Sequence, residues 1–318
     1  MTPTQLRAFS AVVRLGSVKG AAAELGITEA AVSIHVGQLR KELGDQLFVR
    51  RSGALAFTPG GLRLASRANE LLGLQYRTVR EVSQAGKGKR LLRLATSSLF
   101  AEHAAAGLIE LFASRANDLE VELAVHFPQD MDALLASRSV DVAIGPRPQR
   151  LGEDVVRVPF LNYQVVMVAG PAHPLASVHA RPAQLREQTW LLGPSAAGDD
   201  AAVRTLLRRF DVPEAHQRIF QNHAAALEET RHNEGLSLAL SFAVADDLGH
   251  GRLVRIAGPG VQADGVWNAM TLPEHSVVPA AAELMRFITT PRATQAMLRG
   301  SGIKIGRFRP SVHVTLWS

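Results

Sequence analysis

Residues 28–39, TEAAVSIHVGQL, have the pattern of a capped amphipathic helix. Thr28 is a preferred helix N-cap, and apolar residues then recur at the three- and four-residue spacing of one helix face. The face predicted to be buried consists of Val32, Val36, Leu39 and Leu43. Ala30, Ala31 and Ser33 are small, so the N-terminal half of this helix is able to approach another surface closely.

Two further helices are predicted before this one. The first begins with the capping box Thr2-Pro3-Thr4-Gln5 and ends at Gly16. The second begins at the N-cap Ser17 and ends at Gly26, which suits a left-handed C-terminal turn. Two short helices joined by a tight turn, the second with an exposed polar N-terminal half, form a helix-turn-helix that inserts into the major groove of DNA.

The positive charge of the chain is concentrated in its first 90 residues. They contain 14 Lys and Arg against 6 Asp and Glu, a net charge of +8, whereas the totals of 35 and 29 leave 21 against 23, or −2, for the remainder. Strands predicted at 47–49 and 55–57 flank Arg50-Arg51-Ser52-Gly53, a wing whose arginines suit phosphates or a minor groove. A basic first third on a near-neutral body indicates that this part meets a polyanion.

A long linker helix is predicted to follow the wing from Thr58-Pro59, and a hinge follows it at 86–90. The helix has two apolar stripes, one of which contains Leu64, Ala68 and Leu71. Because such a helix must be covered on two sides, we expect one side to pack on its own domain and the other on a partner chain. The residues predicted at this dimer interface are Leu62, Ala65, Leu72, Tyr76 and Val79.

This first part of the chain resembles the LysR-type transcriptional regulators. The resemblance rests on Leu6-Arg7-Ala8-Phe9, Gly16-Ser17, Ala21-Ala22-Ala23-Glu24-Leu25, Ala31-Val32-Ser33, Leu39, Glu42-Leu43-Gly44, Leu47-Phe48 and Thr58-Pro59-Gly60-Gly61. It implies a winged helix-turn-helix that binds double-stranded operator DNA as a homodimer or as a homotetramer, a dimer of dimers. The remaining alternative in this region is a small helical bundle with a hairpin that serves as an interaction module.

The recognition helix departs from the usual pattern of that family. Glu29-Ala30 stands where Gln-Pro is common, and Ile34 stands where a basic residue is frequent. A carboxylate accepts from a cytosine amino group but is repelled by phosphate, so we expect an unusual operator or a modest affinity. The residues predicted to contact DNA are Ser17, Lys19, Thr28, Glu29, Ala30, Ser33, Ile34, His35, Arg50 and Arg51. Lys19, Arg50 and Arg51 are expected at phosphates or the minor groove, and Glu29, Ser33 and His35 at bases.

From Leu91 onward strands alternate with helices, which predicts an α/β domain of two doubly wound halves with parallel sheets. The first half is predicted to contain strands at 92–95, 121–127 and 140–144 and helices at 101–116 and 131–137. The second is predicted to contain strands at 163–169, 190–192 and 219–220 and helices at 201–210 and 224–232, before a strand at 267–272 returns the chain to the first half.

In such folds a ligand binds at the carboxyl ends of strands, beside free helix N-terminal amides. Four loops in this position are predicted to line an effector site with Thr96, Ser97, Ser98, Phe127, Gln129, Gly145, Arg147 and Ser195. Ser, Pro and Gly also occupy loops for conformational reasons alone, so turn chemistry is the alternative for each. Ser97, Ser98 and Arg147 suit an anion, whereas Asp199-Asp200 argues against assuming one.

The family resemblance extends over about residues 4–300 and becomes weaker after Pro148. Its landmarks in the body are Val140-Asp141-Val142-Ala143-Ile144-Gly145, His173-Pro174-Leu175 and Glu234-Gly235-Leu236-Ser237-Leu238. It implies an effector domain similar to periplasmic solute-binding proteins. Gly145-Pro146-Arg147-Pro148 is similar to regulators of carbon fixation, but four residues do not identify an effector.

Several other classes of protein are disfavoured by the sequence. The chain has no cysteine, which excludes disulfides, thiolate metal sites and thiol redox sensing and suits the cytoplasm. It contains no metalloprotease, nucleophile-elbow or phosphate-loop motif, so an enzyme is not expected. No cofactor or metal is expected, because no carboxylate joins His216, His223 or His232 at ligand spacing. No signal peptide and no apolar run of roughly 20 residues points to export or a membrane.

The sequence therefore predicts a cytoplasmic, DNA-binding regulator controlled by a small molecule. We expect a winged helix-turn-helix domain at 1–58, a dimerising linker helix and hinge at 59–90, and an effector domain at 91–318. Within the effector domain, one subdomain is expected at about 91–162 and 267–300 and the other at about 163–266. The alternative is a solute-binding protein with an accessory N-terminal interaction module. We expect ligand to close the cleft and thereby to change how the DNA-binding heads are spaced.

Overall fold

A computed structural model describes residues 1–51, 54–85, 88–148, 152, 154–197, 201–299 and 314–315. The chain forms two compact units, one of Met1–Gly86 with Ala136–Ser139 and one of Lys87–Leu135 with Val140–Ser318. Among the helices in these ranges, none has the length and apolar character needed to cross a membrane.

Three helices form the N-terminal unit as the sequence predicts: α1 (Pro3–Leu15), α2 (Val18–Leu25) and α3 (Glu29–Leu43). Each has a side-chain cap. The hydroxyl of Thr2 accepts from the backbone N–H of Gln5 at 3.3 Å, Ser17 caps α2, and Thr28 accepts from Ala31 at 3.1 Å. Glycines in the left-handed conformation end all three helices.

The core of this unit is the meeting point of the apolar faces of α1, α2 and α3. Its central members are Ala8, Phe9, Val12, Ala21, Val32, Val36, Leu39 and Leu47. The prediction that Leu43 is buried is wrong, because α3 extends one turn beyond Leu39 and Leu43 there is exposed. Burying this face of α3 fixes the opposite face outward.

The wing consists of antiparallel strands β1 (Phe48–Arg51) and β2 (Ala54–Phe57). Arg50 and Arg51 pair with β2 as strand residues, which corrects their predicted place in the loop. Leu47 lies before the strand, because its φ of 61° is incompatible with extended backbone. The side chains of Arg50 and Arg51, and the whole of Ser52–Gly53, lie outside the described residues.

The linker helix α4 spans Pro59–Ala85 and begins at Thr58, whose hydroxyl accepts from Gly61 N–H at 2.9 Å. One side packs on the core of its own unit through Leu64, Ala65, Ala68 and Leu72. Other apolar residues of the helix are exposed: Leu62, Leu71, Leu74, Tyr76, Val79 and Val82. Of the residues predicted at the dimer interface, Ala65 and Leu72 instead pack on the core of their own unit, whereas Tyr76 and Val79, further along the same stripe, are exposed.

The second unit is α/β. Its strands are β3 (Arg90–Thr96), β4 (Leu119–Val125), β5 (Val142–Gly145), β6 (Val156–Ala169), β7 (Trp190–Leu192), β8 (Gln217–Ile219), β9 (Leu236–Leu240), β10 (Val254–Arg255), β11 (Gln262–Thr271) and β12 (Val314–Thr315). Its helices are α5 (Ser98–Phe100), α6 (Ala106–Ala113), α7 (Met131–Ala136), α8 (Pro182–Arg186), α9 (Ala201–Arg209), α10 (His223–Arg231), α11 (Ala245–Gly249), α12 (Pro279–Phe287) and α13 (Pro291–Arg299).

The sheet is mixed rather than parallel throughout, which corrects the sequence prediction. Strands β3, β4 and β5 are parallel neighbours in the first half, as are β8, β7 and β9 in the second. The long strands β6 and β11 pair antiparallel with each other and join the halves through β5 and β9. The alternation of strands and helices along the sequence does not reveal whether two strands pair parallel or antiparallel. The antiparallel pairing of β6 with β11 was therefore not predicted.

Two local features position the end of β3. The carboxylate of Asp141 accepts from the backbone N–H of Arg93 at 2.9 Å and from its guanidinium at 2.9 and 3.2 Å, in a buried pair. Between α5 and α6 the helix passes through a π-helical turn at Ala101–Ala105. Such turns are frequent at functional sites, because the extra residue changes which side chains share a face.

Candidate DNA interface and effector cleft

The outer face of α3 is small, mostly uncharged and free of contacts with the helical core. Glu29, Ala30 and Ser33 are exposed, and Ile34 is 58% exposed. An exposed apolar side chain at this position is able to contact the methyl group of a thymine in the major groove. The face is thus able to lie close to the edges of bases.

Arg40 and His35 show how α3 is held in place. Arg40 donates to the carbonyl of Phe48 at 2.7 Å and stacks on its ring at 4.6 Å, so this basic residue ties α3 to the wing. The sequence pattern alone indicates no role for Arg40. His35 is half-buried, and its Nδ1 has no hydrogen-bond partner among the described residues. Ser17 and Thr28 use their hydroxyls as helix caps, and Lys19 is exposed.

The loops predicted to line an effector site meet at one end of the sheet. The backbone N–H of Ser97 donates to the carbonyl of Ile144 at 2.9 Å. A Cβ atom at Gly145 would lie 3.4 Å from Cβ of Ser97 and 2.9 Å from Cε of Met131, so Gly145 lies directly between the Ser97 loop and the Met131 side chain. The turn Ser98–Phe100 in turn lies against Pro194–Ala196 of the second half.

Exposure differs among these residues. Thr96, Ser97, Gly145 and Ser195 are buried, Ser98 and Phe127 are half-buried, and Gln129 and Arg147 are exposed. Asp199-Asp200, which sequence analysis placed in the second half, lies outside the described residues.

Three buried polar groups near this crevice lack a hydrogen-bond partner in the described part of the structure: Oγ1 of Thr96, Oγ of Ser97 and Nε1 of Trp267. Ser97 precedes a helix but makes no capping bond. An unsatisfied buried polar group costs about 1–3 kcal/mol, so such groups call for an explanation. All three are able to donate a hydrogen bond, and the indole can only donate.

Aromatic rings surround Trp267, which sequence analysis placed only at the start of a returning strand. Phe100 packs edge-on at 5.0 Å between ring centroids, Tyr163 lies at 4.7 Å and Phe242 at 6.2 Å. Asn268, the next residue, pairs with Gly145 across β11 and β5. The Trp267 ring is therefore enclosed by aromatic side chains, one residue before the position that pairs with the end of β5. A buried indole N–H without a partner was not predictable from sequence.

A chain of hydrogen bonds joins the two halves of this unit. Nδ1 and the backbone N–H of His223 each lie 2.8 Å from an oxygen of Glu102, and Nε2 lies 2.8 Å from Oγ of Ser195. The His103 ring lies 5.8 Å from the His223 ring. Glu102 and His103 belong to the π-helical turn. Ser195 lies in the turn after β7, and His223 is the first residue of α10. This overturns the expectation that no carboxylate joins His223.

Burial controls the electrostatics of these groups. It lowers the pKa of His103 to about 4, an effect increased by the nearby His223 and opposed by Glu102. Burial acts to raise the pKa of Glu102, but hydrogen bonds and charge from His223 outweigh it, so this pKa is lowered. At neutral pH, His103 is therefore an uncharged imidazole beside an ionised carboxylate.

Comparison with known proteins agrees with both units. Residues 3–62 match the family model of the "bacterial regulatory helix-turn-helix protein, lysR family", and residues 85–291 match the "LysR substrate binding domain". An uncharacterized HTH-type transcriptional regulator of Mycobacterium tuberculosis is 57% identical, with 100% of each chain covered. A RuBisCO operon transcriptional regulator of Allochromatium vinosum is 28% identical, covering 91% of this chain and 96% of its own.

Solved structures share the fold. ArgP from Mycobacterium tuberculosis has a TM-score of 0.57 at 19% identity and covers 96% of this chain and 98% of its own. The chain belongs to the LysR family of transcriptional regulators. It is a regulator with a DNA-binding helix-turn-helix and an effector-binding domain, and it is not an enzyme.

Proposed function

We propose that the outer face of α3 reads base edges of an operator while flanking cations bind its backbone. In this proposal Glu29, Ala30, Ser33, Ile34 and His35 face bases, and Ser17 and Thr28 lie at the helix starts nearest the phosphates. Lys19, Arg50 and Arg51 neutralise phosphates or enter the minor groove. The exposed Ile34, on a helix that buries Val32, Val36 and Leu39 on its opposite face, is the single observation that carries this assignment.

DNA selected from a random pool by the full-length protein tests the assignment. With the selected duplex, Ile34→Ala is expected to relax the preference at one or two adjacent base pairs, at about 1–3 kcal/mol each. Lys19→Ala is expected to weaken binding to all DNA sequences alike. It is also expected to reduce the slope of log binding constant against log salt concentration by about 1. Arg286→Ala, which removes an exposed cation of α12, is the control and is expected to change neither. An unchanged sequence preference in the Ile34 variant would contradict the assignment.

We also propose that the exposed side of α4 forms a homodimer and that dimers pair further on DNA. Val79 and Val82 are 63% and 70% exposed, and apolar residues aligned along more than three turns favour a helix partner. Val79→Asp is expected to yield monomers in analytical ultracentrifugation, whereas Val178→Asp, at an exposed apolar residue of the other unit, is not. If the Val79→Asp variant remains a dimer, this interface is wrong.

We propose further that chain segments 1–58, 59–90 and 91–318 act as DNA reader, linker and effector sensor, and that the protein acts in the cytoplasm, where operator DNA lies.

The effector site is proposed at the crevice bounded by Thr96, Ser97, Ser98, Phe127, Gln129, Gly145, Arg147 and Ser195. Unpartnered donors on Thr96, Ser97 and Trp267 favour an acceptor-rich ligand, such as a carboxylate or a phosphorylated small molecule. Arg147 is exposed at the same loops, where it supplies a positive charge. The relative named as a RuBisCO operon regulator makes phosphorylated sugars a first choice for a screen.

Titration of the full-length protein with inorganic phosphate, sulfate and simple carboxylates, followed by indole fluorescence, tests this site. Binding of the anion is expected to change the fluorescence emission of Trp267. This change in emission is expected to be absent in Trp267→Phe. Trp190 serves as an internal reference, because its Nε1 already donates to the Leu185 carbonyl at 2.9 Å. If every anion leaves the emission unchanged while a neutral ligand alters it, the preference for an acceptor-rich anion is wrong.

A further inference from the structure

Glu102, His103 and His223 form a cluster whose ligand atoms all lie within 4.8 Å of one another. Among the described residues, no other group of three His, Asp or Glu side chains comes together in this way. We propose that this cluster binds a divalent transition-metal ion, with Zn²⁺ or Co²⁺ the best fit.

The π-helical turn makes the cluster possible. It places two successive residues, Glu102 and His103, on the side of the helix that meets α10. His223 comes from the first turn of α10, 121 residues later in the chain. An ion at this point would be held by both halves of the effector domain, so its occupancy would favour their contact.

The donor set selects the class of metal. Two imidazole nitrogens and one carboxylate oxygen suit Zn²⁺ and its neighbours, whereas Ca²⁺ and Mg²⁺ prefer oxygen ligands. The chain has no cysteine, so no thiolate competes for the ion. Three protein ligands leave a fourth position for water or a ligand atom, as in zinc sites that exchange a ligand.

Ser195 is in place to orient His223 for this role. Its Oγ lies 2.8 Å from Nε2, so this nitrogen is able to donate to the hydroxyl while Nδ1 faces the carboxylate and the ion. Metal-bound histidines are usually held by such a hydrogen bond from their second nitrogen. Gly193 completes the arrangement, because a Cβ there would lie 2.2 Å from Cδ2 of His223. The ion would take the place of the proton shared between Nδ1 and Glu102, and that proton would pass to Nε2 or to solvent.

The experiment uses the tag-free full-length protein, stripped of metal with a chelator and titrated with Co²⁺ alone. We expect one ion per chain and the intense visible bands of four-coordinate Co²⁺, followed by loss of the bands when Zn²⁺ displaces it. Glu102→Gln and His103→Gln are expected to weaken Co²⁺ binding by about 100-fold or more. Ser195→Ala is expected to weaken it by about 10-fold, because second-shell changes typically cost 10- to 100-fold in affinity.

Matched controls are present on the same unit. His250 and His232 each lie beside a carboxylate four residues earlier on an exposed helix, and the part of the chain that the structure describes brings no third ligand to either. His250→Gln and His232→Gln are therefore expected to bind Co²⁺ as the wild type does. Circular dichroism on each variant separates loss of the site from loss of the fold, and the wild-type spectrum decides the question even where a variant unfolds.

Absence of stoichiometric binding, or bands of six-coordinate Co²⁺ alone, would overturn the proposal and leave Glu102, His223 and Ser195 as a structural link. An equal loss of binding in the His250 variant would do the same. Because no DNA or effector is present in the titration, this result is independent of operator and effector recognition.

Discussion

Ser and Thr precede helices in both the DNA-binding unit and the effector unit, but their hydroxyls have different roles in the two units. Thr2, Ser17 and Thr28 each accept a hydrogen bond from their own helix, so their hydroxyls stabilise the fold. Ser97 occupies the same position before a helix, yet its hydroxyl is buried and has no partner in the described residues. An N-cap residue type therefore marks a helix start in both units, but only a hydroxyl that accepts a capping hydrogen bond stabilises the fold.

The largest effect on stability is expected from a substitution in the hydrophobic core of the DNA-binding head. Leu39 is 0% exposed, so Leu39→Ala is expected to lower the free energy of unfolding of the head by about 2–5 kcal/mol and to abolish DNA binding. Urea denaturation followed by circular dichroism and a gel shift measure this. Ile34→Ala, at an exposed position of the same helix, is the control and should change stability by less than about 0.5 kcal/mol. Equal destabilisation by both would show that the two faces of α3 are assigned wrongly.

Acid is expected to destabilise the effector unit through His103. The pKa of about 4 in the folded protein lies below the ordinary histidine value of 6.5, so the unfolded chain binds more protons and stability falls as the pH drops from about 6.5 toward 4. Because some solvent reaches His103, we expect a loss of about 1–3 kcal/mol rather than the full linkage value. Glu102, whose pKa is also lowered, adds to the loss below about pH 4.5.

Urea denaturation at a series of pH values checks this prediction. His103→Asn should flatten the dependence between pH 6.5 and 4, whereas His232→Asn, on an exposed helix end, should leave it as in the wild type. A wild-type stability that rises on acidification through this window would contradict the buried, neutral state of His103.

A smaller effect is expected at the caps themselves. Thr28→Ala should destabilise the head by about 1 kcal/mol, because the N–H of Ala31 loses its partner, and Thr28→Ser should restore most of this. Thermal unfolding is the measurement. If Thr28→Ala is as stable as the wild type, the claim that the Thr28 hydroxyl stabilises the head is wrong.

The smallest effect on stability is expected at Ser97. Ser97→Ala removes no hydrogen bond, so we expect a change within about 0.5 kcal/mol, together with an effector affinity about 2- to 10-fold weaker. Ser114→Ala is the matched control, since its exposed hydroxyl donates to the Leu111 carbonyl at 2.9 Å and lies outside the loops of the crevice. A large loss of stability without a loss of affinity would indicate that the hydroxyl of Ser97 serves the fold.

Prediction from sequence succeeded where the signal is local. The caps at Thr2, Ser17 and Thr28 and the glycines at the helix ends lie within a few residues of the groups they contact, so their spacing specifies the bonds. It failed at Leu43 and at the wing arginines, where exposure and register depend on neighbouring elements. The orphan N–H of Trp267 carries no sequence signal, because it depends on three aromatic side chains from other elements.

Helical periodicity, caps and charge identify this chain as a LysR-type regulator with a helix-turn-helix head and an α/β sensor, because these signals are contained in short stretches of sequence. The packing of distant elements is what leaves part of α4 exposed, joins the halves of the sensor through β6 and β11, and brings Glu102 to His223. Gln164 of β6 and Asp264 of β11 lie 100 positions apart, and Glu102 and His223 lie 121 apart. Their contact depends on how sheets and helices pack, and no local spacing encodes it.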